Sequence, residues 1–329
     1  MSALIKKLSQ ATKSAANDSL APKKRISVGS KKSKETAQEK SQISSDILVF
    51  QIHYKGEQKQ HLDAAFIEYD NKTAESETHE FAVFERLSGL AQTKKAKYWG
   101  AVSWRFGEKT GLAGHELIEI VRKNPTADVF YMNPYPYNEA LFQSGWMQGE
   151  TVHPDFMEIS EKVLVAAGYE SEEIHRTVAS ASFSSANYFV GSQKFWQAYI
   201  PFVQKLLADA ERGLSQQALQ MLHSSRADMR NLHNQSTYVP FIVERLFPLF
   251  MKTAGTGLSA AKITLPAQEQ KLNEHLRKLR EMKDTAVKGK SEWLLRAWMN
   301  YRNLYLQSVS PREWCKRYFP ALNPKTIIW

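Results

Sequence analysis

At 329 residues, 43% hydrophobic and 11% aromatic, the chain is long enough for one large domain or one and a half ordinary ones, and its single cysteine, Cys315, excludes an internal disulfide. The formal charge of +10 is uneven: residues 1–46 hold ten Lys/Arg against four Asp/Glu, which leaves 34 against 30 for the rest. The basic excess therefore sits mostly in a leading tail, which argues against a nucleic-acid-coating role for the body of the protein.

Residues 1–45 are rich in Ser, Ala, Lys and Gln and almost free of aromatics, so they bury too little apolar surface to offset ordering entropy and are expected to be disordered. The tail lacks the apolar region of a secretory signal, and no run of about 18 apolar residues follows to span a bilayer. A soluble, cytoplasmic protein is expected. The weakly amphipathic opening SALIKKLSQATKSA could touch an anionic inner-membrane surface, though a solvated tail is favoured. Cys315, in EWCKRYF, reads as a packing residue in a reducing compartment.

The fold is expected to begin near Ser45. DILVFQIHY, Asp46 to Tyr54, reads as a first strand and Phe81 to Phe84 as a short second one, with a polar loop holding Asp70 and Asn71 between them. Tyr98 to Trp104 is a third strand and Ala127 to Met132 a fourth. Between these lies a helix opening at Gly111, with Thr110 as its N-cap and Leu117, Ile118 and Val121 on one face. This β–loop–β–α–β order predicts an α/β fold with a mostly parallel sheet flanked by helices. Pro134 and Pro136 end the fourth strand. Asp155 to Ala167 reads as a helix with Asp155 and Glu158 as its capping box, and the Ser-rich stretch Thr177 to Gly191 as a strand returning to the sheet. Helices are expected over Phe195 to Ala210, Val239 to Met251, Ala267 to Val287 (an exposed helix or connector) and Ser291 to Gln307. The division is a basic tail over 1–45, an α/β domain over 46–255 and a helical C-terminal extension over 256–329.

The strand–turn–helix–strand run around Gly111 has a nucleotide-site layout. Lys109 and Thr110 beside glycines at a helix start could hold a diphosphate through N–H groups and the helix dipole, although the pattern matches neither Walker A nor GxGxxG. Asn133 falls at the carboxyl end of a strand, where ligands of open α/β sheets collect, and Asp128 at its start, where strand capping is an equal reading. In QGETVHPD, Glu150 and His153 are candidate general bases, with loop and cap chemistry as the bland alternative. Ser184, Ser185, Asn187 and Tyr188 mix polar and aromatic groups in a way that suits a sugar or base. Glu244 and Arg245 stand in the apolar YVPFIVERLFPLF, where a carboxylate must be paired or used. The C-terminal aromatics Trp298, Tyr301 and Tyr305 recur at helical spacing and read as packing more than as a nucleic-acid platform. No D-x-D triplet occurs, so a metal site is not assigned and a divalent ion stays open.

The runs QIHYKGEQ, LDAAFIEYDN, YWGAVSWRFGEKTGLAG, ADVFYMNPYP and QGETVHPDF, with the helix YVPFIVERLF, resemble bacterial glycosyltransferases of capsule and lipopolysaccharide (surface polysaccharide) biosynthesis with a GT-A-like, Rossmann-like core. The resemblance covers much of Asp46 to Met251. It implies sugar transfer from a nucleotide-sugar donor, as co-substrate, to a glycan or lipid-linked acceptor. On that implication Gln51 and Tyr54 touch the base or ribose, Arg105, Lys109 and Thr110 lie by the diphosphate, and Asp128 and Asn133 belong to the donor site. Glu150 or His153 deprotonates the acceptor and Glu244 orients a sugar. Two alternatives stand beside it: a non-catalytic basic protein docking on nucleic acid or anionic membrane, and a glycoside hydrolase using Glu150 with a second carboxylate.

Overall fold

A computed structural model of the chain describes residues 46–72, 76–225 and 236–329. The expectations for the tail, 1–45, lie outside the described residues. Six strands, β1 (Ile47–His53), β2 (Ile67–Asp70), β3 (Tyr98–Ser103), β4 (Val129–Tyr131), β5 (Phe189–Ser192) and β6 (Ala260–Lys262), form one sheet in the order β2-β1-β3-β5-β4-β6. All pairings are parallel except those of β5, which runs antiparallel between β3 and β4. The mostly parallel α/β sheet read from the element order is therefore present.

Helices cover both faces, which is why β1 and β3 read as continuous apolar runs: six of seven residues in β1 and all six in β3 are buried. On one face Phe50, Ile52, Trp99 and Phe189 meet the helices Glu80–Ser88, Phe156–Ala166 and Gln193–Gly213. Trp99 stacks on Trp196 at 4.2 Å, and the Trp196 indole donates to the Trp99 carbonyl over 2.8 Å. On the other face Val49, Val102 and Val190 pack under the helices Phe106–Thr110 and Gly114–Lys123. Gly100 makes the β3–β5 pairing possible, because a Cβ there would lie 2.1 Å from the Phe189 carbonyl oxygen. The C-terminal helices Glu274–Gly289, Glu292–Val309 and Arg312–Leu322 form a third apolar cluster with Leu141, Phe142 and Phe183. Trp298, Tyr305 and Tyr318 are buried there, as is Cys315, so these residues pack.

Several elements differ from the sequence reading. Phe81 to Phe84 belongs to the helix Glu80–Ser88, where Phe81, Phe84 and Leu87 recur every three residues along its buried side. The second strand comes instead from the polar loop: Ile67–Asp70 is a largely exposed edge strand with little apolar signal to announce it. Thr110 ends a helix rather than capping one; the next helix starts at Gly114, and Gly111 takes the left-handed turn between them at φ 74°. Asp155 occupies the N-cap position at φ 60° without a side-chain cap bond, and the Glu150 carboxylate accepts from the Met157 amide over 2.8 Å instead. The stretch Thr177 to Gly191 reaches the sheet only at β5, and Val239 to Met251 breaks into Val239–Val243 and Leu246–Lys252, with Glu244 and Arg245 at the break. The helix Glu274–Gly289 buries Leu276, Leu279, Lys283 and Ala286, so it is a packed helix and not an exposed connector. Strand β6 comes from beyond residue 255, so the sheet draws its edge from the stretch read as a helical extension.

Candidate functional site

The chain leaves β1 for β2 on one side and places β3 on the other, which makes the carboxyl ends of β1 and β3 a topological switch point. Tyr54 follows β1, Ser103 and Arg105 close β3, Tyr135 follows β4 and Tyr188 precedes β5, so all converge on this one edge. The helices Phe106–Thr110 and Glu80–Ser88 add Lys109 and Glu80, and the break after Val239–Val243 adds Glu244. The Tyr188 hydroxyl pairs with the Ser103 hydroxyl at 2.8 Å, and the Lys109 ammonium sits 5.7 Å from the centre of the Tyr188 ring.

Electrostatics tie these groups together. Burial works to lower the Lys109 ammonium, but the oxygens of Tyr188, Tyr135, Glu80 and Glu244 outweigh it and keep the group protonated above its ordinary range. Burial likewise pushes the Tyr54 phenol up, reinforced by Glu80 and Tyr188. Glu244 is crowded by protein yet keeps 29% side-chain exposure. Burial, opposed by Arg245 and helped by Glu80, raises its carboxyl to about 7. Arg245 itself is buried and lowered to about 10. It donates to the carbonyls of Gly145 and Phe241 and to Gln148 over 2.7–2.8 Å, and reaches Glu244 only at 3.5 Å. The pair is thus asymmetric: Arg245 holds the helix Gly145–Glu150 through its shorter bonds, while Glu244 is held only by the longer contact to Arg245.

The helix start that carries Glu80 is strained. His79, just before it, has φ 49° and ψ −117°, a combination a residue with a Cβ rarely adopts. Strain of this kind costs about 1–3 kcal/mol and persists where the surroundings impose it.

The remaining residues named from the sequence take varied places. Gln51 is buried, with its amide nitrogen 3.3–3.4 Å from the Ser103 and Trp104 carbonyls and its oxygen accepting from the Asp63 amide, so it holds β1, β3 and the segment before β2 together. Arg105 is held bidentate by Glu108 and lies over Trp104. The buried Thr110 hydroxyl donates to the Phe106 carbonyl over 2.8 Å, which corrects its reading as a phosphate ligand. Asp128 sits at the opposite end of β4, tied to the amide and hydroxyl of Ser259, so its strand-capping reading is the one realised. Asn133 does reach the carboxyl edge, where it organises the turn through Tyr135 and donates to Glu139 over 2.7 Å. It lines a polar pocket of about 300 Å³ with Glu139, Lys262 and Arg280. Glu150, besides capping a helix, is within electrostatic range of Arg317 and Tyr318 of the last helix; burial raises its carboxyl. The buried His153 ring stacks on Phe241 at 3.8 Å.

Of the named residues, the structure therefore brings Tyr54, Lys109, Tyr188 and Glu244 together, with Arg105 in electrostatic range of Tyr188. The sequence reading missed Glu80, Ser103 and Tyr135. Glu80 could have been found by reading FAVFERL as a helix, since that places the preceding carboxylate at a helix start on the sheet's edge. Among the described residues no group of three or more His, Cys, Asp and Glu side chains is placed to hold a metal ion, and no helix is long and apolar enough to cross a membrane. Compared with family models, curated proteins and solved structures, the chain matches none.

Proposed function

We propose that the protein is a glycosyltransferase with a GT-A-like core, which holds a nucleotide-sugar donor at the carboxyl edge of its sheet and passes the sugar to a glycan or lipid-linked acceptor in bacterial surface-polysaccharide synthesis. The observation that carries the reading is the convergence, at the switch point between β1 and β3, of the Lys109 ammonium with Tyr54, Tyr188 and the two carboxylates Glu80 and Glu244. Aromatic rings there suit a base or sugar face, and a cation beside them suits a diphosphate.

In this reading the acceptor hydroxyl attacks the anomeric carbon as the bond from that carbon to the diphosphate oxygen breaks. Glu244 takes the hydroxyl proton, a role suited to a carboxyl raised to about 7. Lys109 balances the charge that develops on the departing diphosphate. Glu244 thus replaces Glu150 and His153 as the base, because Glu150 caps a helix and His153 is packed against Phe241.

Thermal unfolding of the full chain against nucleotide sugars and bare nucleotides, with and without manganese, tests the reading. A ligand at about 100 times its dissociation constant adds about 2.7 kcal/mol of stability. A selective shift with one nucleotide supports a donor site and names its base; no shift with any member of the panel refutes it.

A further inference from the structure

A second cavity, of about 450 Å³, opens on the sheet face under the helix Leu246–Lys252, away from Lys109. Its volume falls in the range of about 300–1,000 Å³ typical of small-molecule sites. The inner walls are apolar: Tyr131, Trp146, Phe183, Phe247 and Leu249 face into it. Its charged lining is one-sided, with three cations, Arg176, Arg245 and Lys252, against the single carboxylate of Glu173. Glu173 is shared between Lys252 and Arg176, at 2.5 and 3.1 Å, and the Lys252 side chain keeps 46% exposure. One carboxylate cannot neutralise two cations, so the mouth keeps a positive excess directly beside an apolar interior.

We infer that this cavity binds an amphipathic anion, an apolar chain that enters the Phe247–Leu249 interior while its carboxylate or phosphate head meets Lys252 and Arg176. The inference does not depend on the transferase reading, because neither Lys109 nor Glu244 lines the cavity. A cationic amphiphile would place like charges together at the mouth, and a bare anion would leave the apolar interior unfilled.

Isothermal titration of the full chain with dodecanoate, dodecyl phosphate, dodecyltrimethylammonium and inorganic phosphate, all below micelle formation, tests it. The expected result is saturable one-to-one binding of the two chain-bearing anions, at least tenfold tighter than the cationic amphiphile or inorganic phosphate; the tighter of the two names the head group. Lys252→Glu, an exposed substitution, should weaken that binding at least tenfold while leaving the melting temperature near that of the parent. Leu249→Trp, which fills the interior, should do the same if it folds. Equal binding of cationic and anionic amphiphiles, binding of inorganic phosphate as tight as the chain-bearing anions, no binding at all, or an unchanged affinity in a folded Lys252→Glu protein would each overturn the inference.

Discussion

Replacing Glu244 with glutamine isolates the feature on which the proposed chemistry depends. An ordinary glutamate near 4.5 that is raised to about 7 by burial corresponds to about 3 kcal/mol against its ionised form. The side chain keeps 29% exposure, so solvent screening reduces the expected effect to roughly 1–2 kcal/mol. Its sign follows from proton binding. Below about pH 4.5 the carboxyl is protonated whether the chain is folded or not, and Glu244 costs nothing; between 4.5 and about 7 the unfolded chain releases the proton first, and stability falls as pH rises. Above about 7 the loss is complete. Glutamine avoids it. Glu244→Gln should therefore match the parent in urea unfolding at pH 4.5 and exceed it by roughly 1–2 kcal/mol at pH 8. Arg245 should not confound the comparison, since its donors are held by Gly145, Phe241 and Gln148. Equal stabilities at both pH values would refute the burial argument. If sugar transfer is measured as well, the variant should lose the limb of the rate profile that rises with pH through about 7.

Other perturbations test separate parts of the structure. Lys109→Met should weaken nucleotide binding by about 10–100-fold, the worth of one hydrogen bond to a charged group, with no change in circular dichroism. His79→Gly relieves the φ 49° conformation and should raise the urea midpoint by an amount equivalent to about 1 kcal/mol. Gly100→Ala drives a Cβ against the Phe189 carbonyl and should destabilise by about 3 kcal/mol or prevent soluble expression. Lys283 is fully buried, and burial lowers its ammonium to about 8 from 10.5, so the penalty for keeping it charged is complete below about pH 8 and fades towards 10.5. Lys283→Met also leaves the Phe142 carbonyl without its donor, so the pH-dependent part is what tests the reading: its stability relative to the parent should be about 2 kcal/mol higher at pH 7 than at pH 10, by thermal unfolding at both.

What the sequence disclosed depended on how strongly each segment advertises its burial. β1 and β3 are buried on both faces, and an apolar run such as ILVFQIH leaves little choice of element. β2 is an exposed edge strand whose partner β1 supplies its order, so nothing local marks it. Phe81 to Phe84 is an apolar run too short to separate strand from helix until Leu87 extends the period. Site residues followed the same rule. Lys109 and Glu244 were visible because each is a charge set in an apolar or glycine-rich context. Thr110, Gln51 and Asn133 stand at the right positions, but their polar atoms are spent on the backbone around them, a commitment that spacing alone does not reveal. Glu80 and Tyr135 acquire meaning only when the sheet gathers its carboxyl ends on one edge.

Charge balance at the carboxyl edge of the sheet sets a condition on any anionic ligand there. Among the described residues gathered at this edge, Arg105 is paired with Glu108, whereas Lys109 has no ion pair and Arg86 is bonded to the neutral Asn71 and Tyr69. With Glu80 and Glu244 both ionised, their two negative charges offset two of the three cations Lys109, Arg86 and Arg245, which leaves a single net positive charge for a diphosphate. Protonating Glu244 removes one of those negative charges, and its carboxyl titrates at about 7. Nucleotide affinity should therefore increase by roughly two- to tenfold as pH falls from 8 to 6, one linked proton setting the upper limit per pH unit. A divalent cation carried with the diphosphate would add positive charge and flatten that dependence. In Glu244→Gln the pH dependence should vanish and the affinity at pH 8 should rise. Titration calorimetry of parent and variant at pH 6 and 8, with and without manganese, separates these cases. A parent affinity indifferent to pH in the absence of metal would mean that the nucleotide does not sit beside Glu244.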